Sequence, residues 1–170
     1  MILIALGANL PSSYGSPAQT IEAAKRAIEG RGISLVKAAR IWLTAPVPYD
    51  PDQDWYHNSV VAVDTDLPPQ DLLQTLLDIE LEFGRVRTVK NAPRLLDLDI
   101  VAYNDYLIEE GDNLIVPHPR MHERLFVLKP LEDIDKNWIH PRTKQRLADM
   151  ITACPEDQEA KPMDEEAYDD

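Results

Sequence analysis

The order in which hydrophobic patterns follow one another is the feature that most restricts the fold of this chain. Short apolar or alternating runs predict four strands, at residues 2–6, 33–42, 58–65 and 96–103. Apolar residues at helical spacing predict two helices, one from Ser16-Pro17 to Gly30 and one from Pro68 to about Phe83. The resulting order is βαββαβ, which is the split βαβ or ferredoxin-like arrangement, so we predict an α+β protein.

The chain is long enough for one domain with a substantial core. Of its 170 residues, 44% are hydrophobic, and no linker or repeat divides them, so we predict a single domain over residues 1–154. Residues 155–170 contain eight acidic residues, one lysine and almost no apolar side chains. We interpret this segment as a solvated, mobile acidic tail, and an acidic docking peptide is the alternative interpretation.

The charge of the chain restricts its partners. With a net charge of −13, the chain is a poor candidate for binding nucleic acid or an anionic membrane. The N-terminal run MILIALGANL lacks the charged segment and the apolar length of a secretory leader or a membrane span. Cys154 is the single cysteine, so no internal disulfide can form, and we expect a cytoplasmic protein.

Two aspartates lie inside an otherwise apolar predicted strand. Alternation separates its side chains into a core-facing set and an opposite set, Leu96, Leu98, Ile100 and Ala102 against Asp97, Asp99, Val101 and Tyr103. The two aspartates are then about 6.6 Å apart at the backbone, and their charges repel unless a cation joins them. Because Mg²⁺ commonly takes one or two carboxylates plus phosphate oxygens, the pair is a candidate magnesium–phosphate site. Solvent-facing strands carry such acids too, so the pattern alone leaves both interpretations open.

Basic residues surround this acidic pair in an otherwise acidic chain. The flanking segments 84–94 and 116–124 contribute Arg85, Arg87, Lys90, Arg94, His118, Arg120, His122 and Arg124. Guanidinium groups neutralise phosphoryl oxygens, so the combination favours a triphosphate bound with Mg²⁺. The sequence has neither GxxxxGK[ST] nor GxGxxG, so ATP would have to be bound by side chains on loops. Taken singly, each basic residue could instead cover a helix end or lie on the surface.

Six motifs within residues 1–150 form a specific set. They are LGANL (6–10), the TxP turn at 44–46, YHN (56–58), GRVR (84–87), PRLLDLDI (93–100) and VPHPRMHERLFVLKPL (116–131). The set resembles the hydroxymethyldihydropterin pyrophosphokinase family of folate biosynthesis. The resemblance implies an α-β-α sandwich, in which helices flank a mainly antiparallel ferredoxin-like sheet. It also implies a Mg²⁺-dependent enzyme that transfers pyrophosphate from ATP to the hydroxymethyl group of 6-hydroxymethyl-7,8-dihydropterin, giving AMP and the pterin diphosphate.

The resemblance further implies roles for individual residues. Two Mg²⁺ ions would be bound by Asp97 and Asp99, which would form the catalytic group together with Arg85 and Arg94. The nucleotide-binding residues would be Glu80, Arg85, Arg87, Arg94, Ile100, His118 and Arg124. The pterin would contact Thr44, Ala45, Val47, Tyr56, Asn58 and Phe126, with its ring between the two aromatic side chains. The implied partners are ATP and the reduced pterin, and other folate-pathway enzymes are further candidates.

Several of these residues have simpler interpretations, and some positions depart from the family. Tyr56 and Phe126 could be core aromatics, and Asn58 could cap a turn. Many family members have tryptophan where this chain has Asn91, and often proline where it has Ala45. Because Arg85 and Arg94 lie between a helix and a strand, we predict a lid that closes on ATP, sealed by other groups such as Trp55.

Two other functions stay open at this point. The chain could be a nucleotide- or pterin-sensing module that binds without turnover, with its lid altered at Asn91. It could also be a metal-dependent hydrolase built on the Asp97–Asp99 pair. Measuring AMP release from ATP with and without the reduced pterin separates the enzyme from the sensing module. Release of phosphate by water, without any pterin, would favour the hydrolase.

Overall fold

The computed structural model describes residues 1–46, 50–84, 95–111 and 113–163. Its main sheet contains β1 (Ile2–Ala8), β2 (Ser34–Ala38), β3 (Trp42–Thr44), β4 (Tyr56–Asp64), β5 (Asp97–Tyr103) and β8 (Ala160–Pro162). A separate hairpin is formed by β6 (Ile108–Glu110) and β7 (Leu114–Val116). The helices in these ranges are α1 (Pro17–Gly30), α2 (Pro69–Glu82), α3 (Leu125–Asp135) and α4 (Leu147–Ala153), with a 3-10 turn at Met121–Glu123. None of them is long and apolar enough to cross a lipid bilayer.

The main sheet has the strand order of a βαββαβ core. β1 lies between β5 and β4, while β2 and β3 pair one after the other with β4, and β8 extends the sheet beyond β3. Every described pairing is antiparallel. One face of the sheet packs against α1 and α2 around Ile21 and Leu76, and the other packs against α3 and α4 around Leu128 and Met150. The predicted α-β-α sandwich is confirmed.

The single strand predicted over residues 33–42 is wrong, because the chain bends between β2 and β3. The backbone N–H of Arg40 donates to Asp133 Oδ2 at 3.1 Å, and the Arg40 guanidinium pairs with the same carboxylate from α3. This side-chain acceptor takes the place of a strand partner at residue 40. The bend lets β3 run beside the start of β4, where it carries Thr44 opposite Tyr56.

A β-bulge changes the side of the sheet to which the side chains in the second half of β5 point. Leu3 of β1 pairs with Ala102, but the next residue, Ile4, pairs with Ile100, so Val101 is an extra residue on β5. As a result, Val101 and Ala102 both pack on the α3/α4 side, and Tyr103 packs on the α1/α2 side. The predicted orientations of Ala102 and Tyr103 are therefore wrong.

The interpretation of residues 155–170 as one mobile appendage is wrong for the part that the structure describes. Residues 160–162 form β8, which pairs with β3 from Trp42 to Thr44. Just beyond it, Met163 is only 7% exposed and belongs to the α1/α2 core. The domain predicted to end at residue 154 therefore continues to at least residue 163, and residues 164–170 lie outside the described ranges.

Candidate active site

A pocket of about 790 Å³ opens on the α3/α4 side of the sheet. Its walls come from β1, β3, β4 and β5, from the turn that precedes α3, and from the segment that leads into β8. It brings together nine predicted site residues: Thr44, Ala45, Tyr56, Asn58, Asp97, Asp99, His118, Arg124 and Phe126. Four other predicted residues, Val47, Arg85, Arg87 and Arg94, lie outside the described ranges.

Asp97 and Asp99 project into this pocket from the first half of β5. The β1 register places Gly7 opposite Asp97 and Ala5 opposite Asp99, before the bulge at Val101. The two carboxylates therefore share one face of the strand, as alternation predicts, and both line the pocket. Asp97 is half-buried and Asp99 is exposed, so the pair is accessible to a ligand in the pocket.

Arg124 provides a positive charge close to both carboxylates. Burial lowers the pKa of its guanidinium, while the negative charges of Asp99 and Asp97 raise it. The guanidinium carbon lies 5.4 Å from the centre of the Phe126 ring, a distance at which cation–π attraction stabilises the pair. Arginine remains charged at any physiological pH, so this site keeps a forked cation beside its acidic pair.

His118 is held as a neutral imidazole. Its Nδ1 accepts a hydrogen bond from the Arg120 backbone N–H at 3.1 Å, and its own backbone N–H donates to the Val101 carbonyl at 2.9 Å. Burial, reinforced by the positive charges of Arg124 and Arg120, lowers the pKa of His118 to about 4. With Nδ1 accepting, the proton of the neutral ring is on Nε2, so this nitrogen is a donor for an anionic ligand.

The depressed pKa of His118 predicts how stability depends on pH. Between its unfolded value of 6.5 and its folded value of about 4, the folded chain binds fewer protons than the unfolded chain. The free energy of unfolding of the ligand-free protein should therefore rise with pH across this interval. We expect His118→Gln to reduce this rise, which is measured as the difference between the free energies of urea unfolding at the two ends of the interval. His57 and His140, whose pKa values burial also lowers, contribute to the same rise, so the variant should retain part of it. An unchanged slope in the variant would contradict the assignment to His118.

Asn58 and Thr44 form a buried polar pair at the other side of the pocket. Asn58 Nδ2 donates to Thr44 Oγ1 at 2.6 Å, and the two residues are 8% and 2% exposed. The simpler interpretation of Asn58 as a turn cap is wrong, because this residue lies within β4 and lines the pocket. The bond to Thr44 fixes the amide plane, so Asn58 presents a defined polar edge.

Gly7 is a site residue that the sequence interpretation missed. It lies opposite Asn58 in the β1–β4 register, and a Cβ at this position would meet Asn58 Oδ1 at 2.8 Å. Any side chain at residue 7 would therefore displace the Asn58 amide. The available signal was the glycine in the LGANL motif, which stands inside a strand where glycine often marks a close approach.

Glu80 is a buried acidic residue on the otherwise apolar face of α2. Its side chain is 2% exposed, and its Oε2 accepts a hydrogen bond from the Leu98 backbone N–H at 2.8 Å. The carboxylate thus holds β5 at the residue between the two aspartates. Neither Glu80 nor Ile100 lines the pocket, and Ile100 is buried in the α1/α2 core. Their nucleotide-binding roles stay predictions.

The aromatic residues occupy different positions relative to the pocket. Tyr56 and Phe126 are half-buried and line it, so neither is an enclosed core side chain. Trp55 is also half-buried, but its ring lies 5.2 Å from Lys161 Nζ and is not part of the pocket wall. Its role as a seal, and the consequence of Asn91, stay predictions, since residue 91 lies outside the described ranges.

The fold and this pocket define an α+β protein whose pocket combines two carboxylates with a guanidinium and an imidazole, and comparison with known proteins gives the family. The family model for 7,8-dihydro-6-hydroxymethylpterin-pyrophosphokinase matches residues 3–136. The chain belongs to this family.

Individual relatives agree with this assignment. The chain is 38% identical over 154 residues to a 2-amino-4-hydroxy-6-hydroxymethyldihydropteridine pyrophosphokinase of Pseudomonas aeruginosa, covering 91% of each chain. It is 39% identical over 162 residues to a folic acid synthesis protein of Pneumocystis carinii, covering 95% of this chain and 21% of that one. The wild-type HPPK-DHPS structure of Plasmodium falciparum has a TM-score of 0.70 at 13% identity, covering 89% of this chain and 44% of that one, and supports the fold. The chain thus spans about a fifth of one curated relative and nearly all of another.

Proposed function

We propose that this chain transfers pyrophosphate from ATP to 6-hydroxymethyl-7,8-dihydropterin, giving AMP and the pterin diphosphate, in folate biosynthesis. The observation that carries the proposal is that two chemically different groups of side chains line one pocket. Asp97, Asp99, His118 and Arg124 supply the groups that a polyphosphate requires, and Thr44, Asn58, Tyr56 and Phe126 supply those that a flat heterocycle requires. Membership of the pyrophosphokinase family supports the same reaction.

The acidic pair fits magnesium that arrives with the nucleotide. Within the described ranges, no group of three or more His, Cys, Asp or Glu side chains is arranged to hold a metal ion. Two carboxylates on one strand face leave coordination positions for phosphate oxygens, which is the arrangement that Mg²⁺ commonly adopts in kinases. We propose two such ions held by Asp97 and Asp99; when bound, they neutralise the phosphate charge and polarise the phosphoryl oxygens.

The reaction itself is a displacement at phosphorus. The oxygen of the pterin hydroxymethyl group bonds to the β-phosphorus and releases its proton to solvent. The bond from that phosphorus to the α,β-bridging oxygen breaks, and AMP leaves with that oxygen. Arg124 and the Nε2–H of His118 bind the polyphosphate, while Arg85 and Arg94 are proposed to complete its enclosure from the lid. Positioning and fixed charge supply most of the acceleration, since the protein forms no covalent bond.

We propose that the pterin subsite recognises the ring through its flat shape and through the side-chain amide of Asn58. Tyr56 and Phe126 would hold the two faces of the ring, and Asn58 would bond to its polar edge, beside the backbone of residues 44 and 45. Val47, which lies outside the described ranges, is proposed as a further contact. The Arg124 guanidinium lies next to the Phe126 ring, which supports a phosphate subsite directly beside the pterin. This arrangement would direct the hydroxymethyl group toward the polyphosphate.

Asn58→Ala tests the pterin subsite. We expect the KM for the pterin to rise about thirtyfold, because a site built to bond a polar edge discriminates strongly when the bond is lost. The turnover number should change much less, since the phosphate groups are untouched. Asn137→Ala, at an exposed position beyond α3, is the matched control. A large fall in turnover with an unchanged pterin KM would contradict the assigned role.

Product analysis separates the proposed reaction from the other candidate functions. The purified protein is mixed with Mg²⁺ and ATP, with or without the reduced pterin, and nucleotides are resolved by chromatography. The proposal predicts AMP, without ADP, only when the pterin is present. Nucleotide hydrolysis without pterin would favour a metal-dependent hydrolase, and pterin binding without turnover would favour a sensing module.

The proposed partners follow from this reaction. They are ATP and the reduced pterin, and enzymes that handle neighbouring folate intermediates are further candidates. We propose no nucleic-acid or membrane partner.

A further inference from the structure

We propose that Gln158 is a positioning residue for Arg124, and that the segment 155–162 links the two halves of the pocket. Gln158 Oε1 accepts a hydrogen bond from the Leu125 backbone N–H at 2.9 Å. Gln158 Nε2 donates to the Glu123 backbone carbonyl at 2.8 Å. One side-chain amide is therefore bonded to the chain on both sides of Arg124.

We call these two hydrogen bonds the Gln158 bracket, and the backbone conformation at Arg124 explains why they are needed. Arg124 is the junction between the 3-10 turn and α3, in an extended conformation at φ −112° and ψ 101°. No side-chain hydrogen bond from Arg124 itself caps α3, so the first donors of the helix need acceptors from elsewhere. Gln158 supplies an acceptor to the first of them from 33 residues away in the sequence. It thereby fixes the backbone from which the Arg124 side chain reaches Phe126 and the acidic pair.

The residues next to Gln158 are anchored on the opposite side of the pocket. The Glu159 carbonyl accepts a hydrogen bond from the Ala45 backbone N–H at 3.1 Å, and Ala160 pairs with Thr44. Pro155 and Gln158 themselves line the pocket. The segment therefore connects the proposed pterin subsite at residues 44–45 to the proposed phosphate subsite at residue 124. A stable spacing between these subsites is what a transfer between two bound substrates requires.

A double-mutant cycle distinguishes positioning of Arg124 from general stabilisation. The four proteins are wild type, Gln158→Leu, Arg124→Ala and the double variant, and the probe is the dissociation constant of Mg²⁺–α,β-methylene-ATP measured by calorimetry. We expect Gln158→Leu to weaken binding about tenfold in the wild type and less than about twofold in the Arg124→Ala background. Gln74→Ala is the control, because Gln74 also uses its side-chain amide in a hydrogen bond, to Asp78 on the exposed face of α2. Its affinity should equal that of the wild type.

The hydrogen-exchange rate of the Leu125 backbone amide tests the Gln158 bracket in the ligand-free protein. Gln158→Leu should increase exchange at Leu125 by at least about tenfold and leave the β4 amides, such as that of Val61, unchanged. The same affinity loss in both backgrounds would show a general stabilising role, and unchanged affinity together with unchanged exchange would also overturn the inference. Because the inference rests on the proposed function, the wild type serves as the reference. If the wild type fails to bind the nucleotide, the proposed function fails, and the exchange rate alone then decides for or against the bracket.

Discussion

Asp97→Asn should reduce AMP formation by about a thousandfold while leaving the fold intact. The substitution keeps the size of the side chain and removes the charge that, in our proposal, binds the magnesium carried by ATP. Asp97 is half-buried at the first residue of β5, so an amide of the same shape can occupy its place. The measurement is single-turnover AMP formation at saturating Mg²⁺, ATP and pterin, with the thermal midpoint as a check on folding.

Two comparisons make this prediction specific to the acidic pair. Asp99→Asn should cause a loss of similar size, because both carboxylates face the same pocket. Asp64→Asn, at the exposed end of β4, should leave AMP formation unchanged. Near-normal turnover in the folded Asp97→Asn protein would refute the metal assignment.

Arg124→Ala should cause a fall of about a hundredfold in kcat/KM for ATP. The reason is the loss of a forked cation that lies beside Asp97, Asp99 and the Phe126 ring. Affinity for the pterin alone should change by less than about fivefold, since the aromatic ring and the Asn58–Thr44 pair remain. Steady-state kinetics with each substrate varied, together with pterin binding in the absence of nucleotide, measure the two quantities.

A charge-retaining variant and a surface variant complete this experiment. Arg124→Lys should recover part of the lost activity, because an ammonium keeps the charge but not the planar fork. Arg142→Ala removes an exposed arginine that pairs with Glu109 and should have no effect on kinetics. A defect confined to pterin affinity would contradict the phosphate role of Arg124.

The elements that the sequence predicts well depend on neighbours close in the chain. The start of α1 is one case: the Ser16 hydroxyl accepts from the Gln19 N–H, and the Gln19 side chain accepts from the Ser16 N–H. The facing of Asp97 and Asp99 is another, because strict alternation holds between adjacent residues of one strand. Both features follow from local geometry, and both are confirmed.

The features that the sequence analysis missed depend on residues far apart in the chain. The bulge at Val101 is visible only in the β1 register, and the bend at Arg40 depends on Asp133 in α3. Residues 155–163 are predicted to be a solvated tail because most of them are charged or polar. Their strand, which pairs with β3, depends on a partner more than 100 residues earlier in the chain. Glu80 is an intermediate case, since the sequence shows an acidic residue among the apolar residues of α2 but does not show that Leu98 is its partner.

The most direct test of the central claim is to locate the metal with nucleotide bound. Crystals grown with Mn²⁺ and α,β-methylene-ATP allow the ions to be located by anomalous scattering. We expect two peaks that contact the carboxylates of both Asp97 and Asp99 and the oxygens of the polyphosphate. Manganese bound elsewhere, or a polyphosphate held in the pocket with both carboxylates turned away from it, would contradict the proposal.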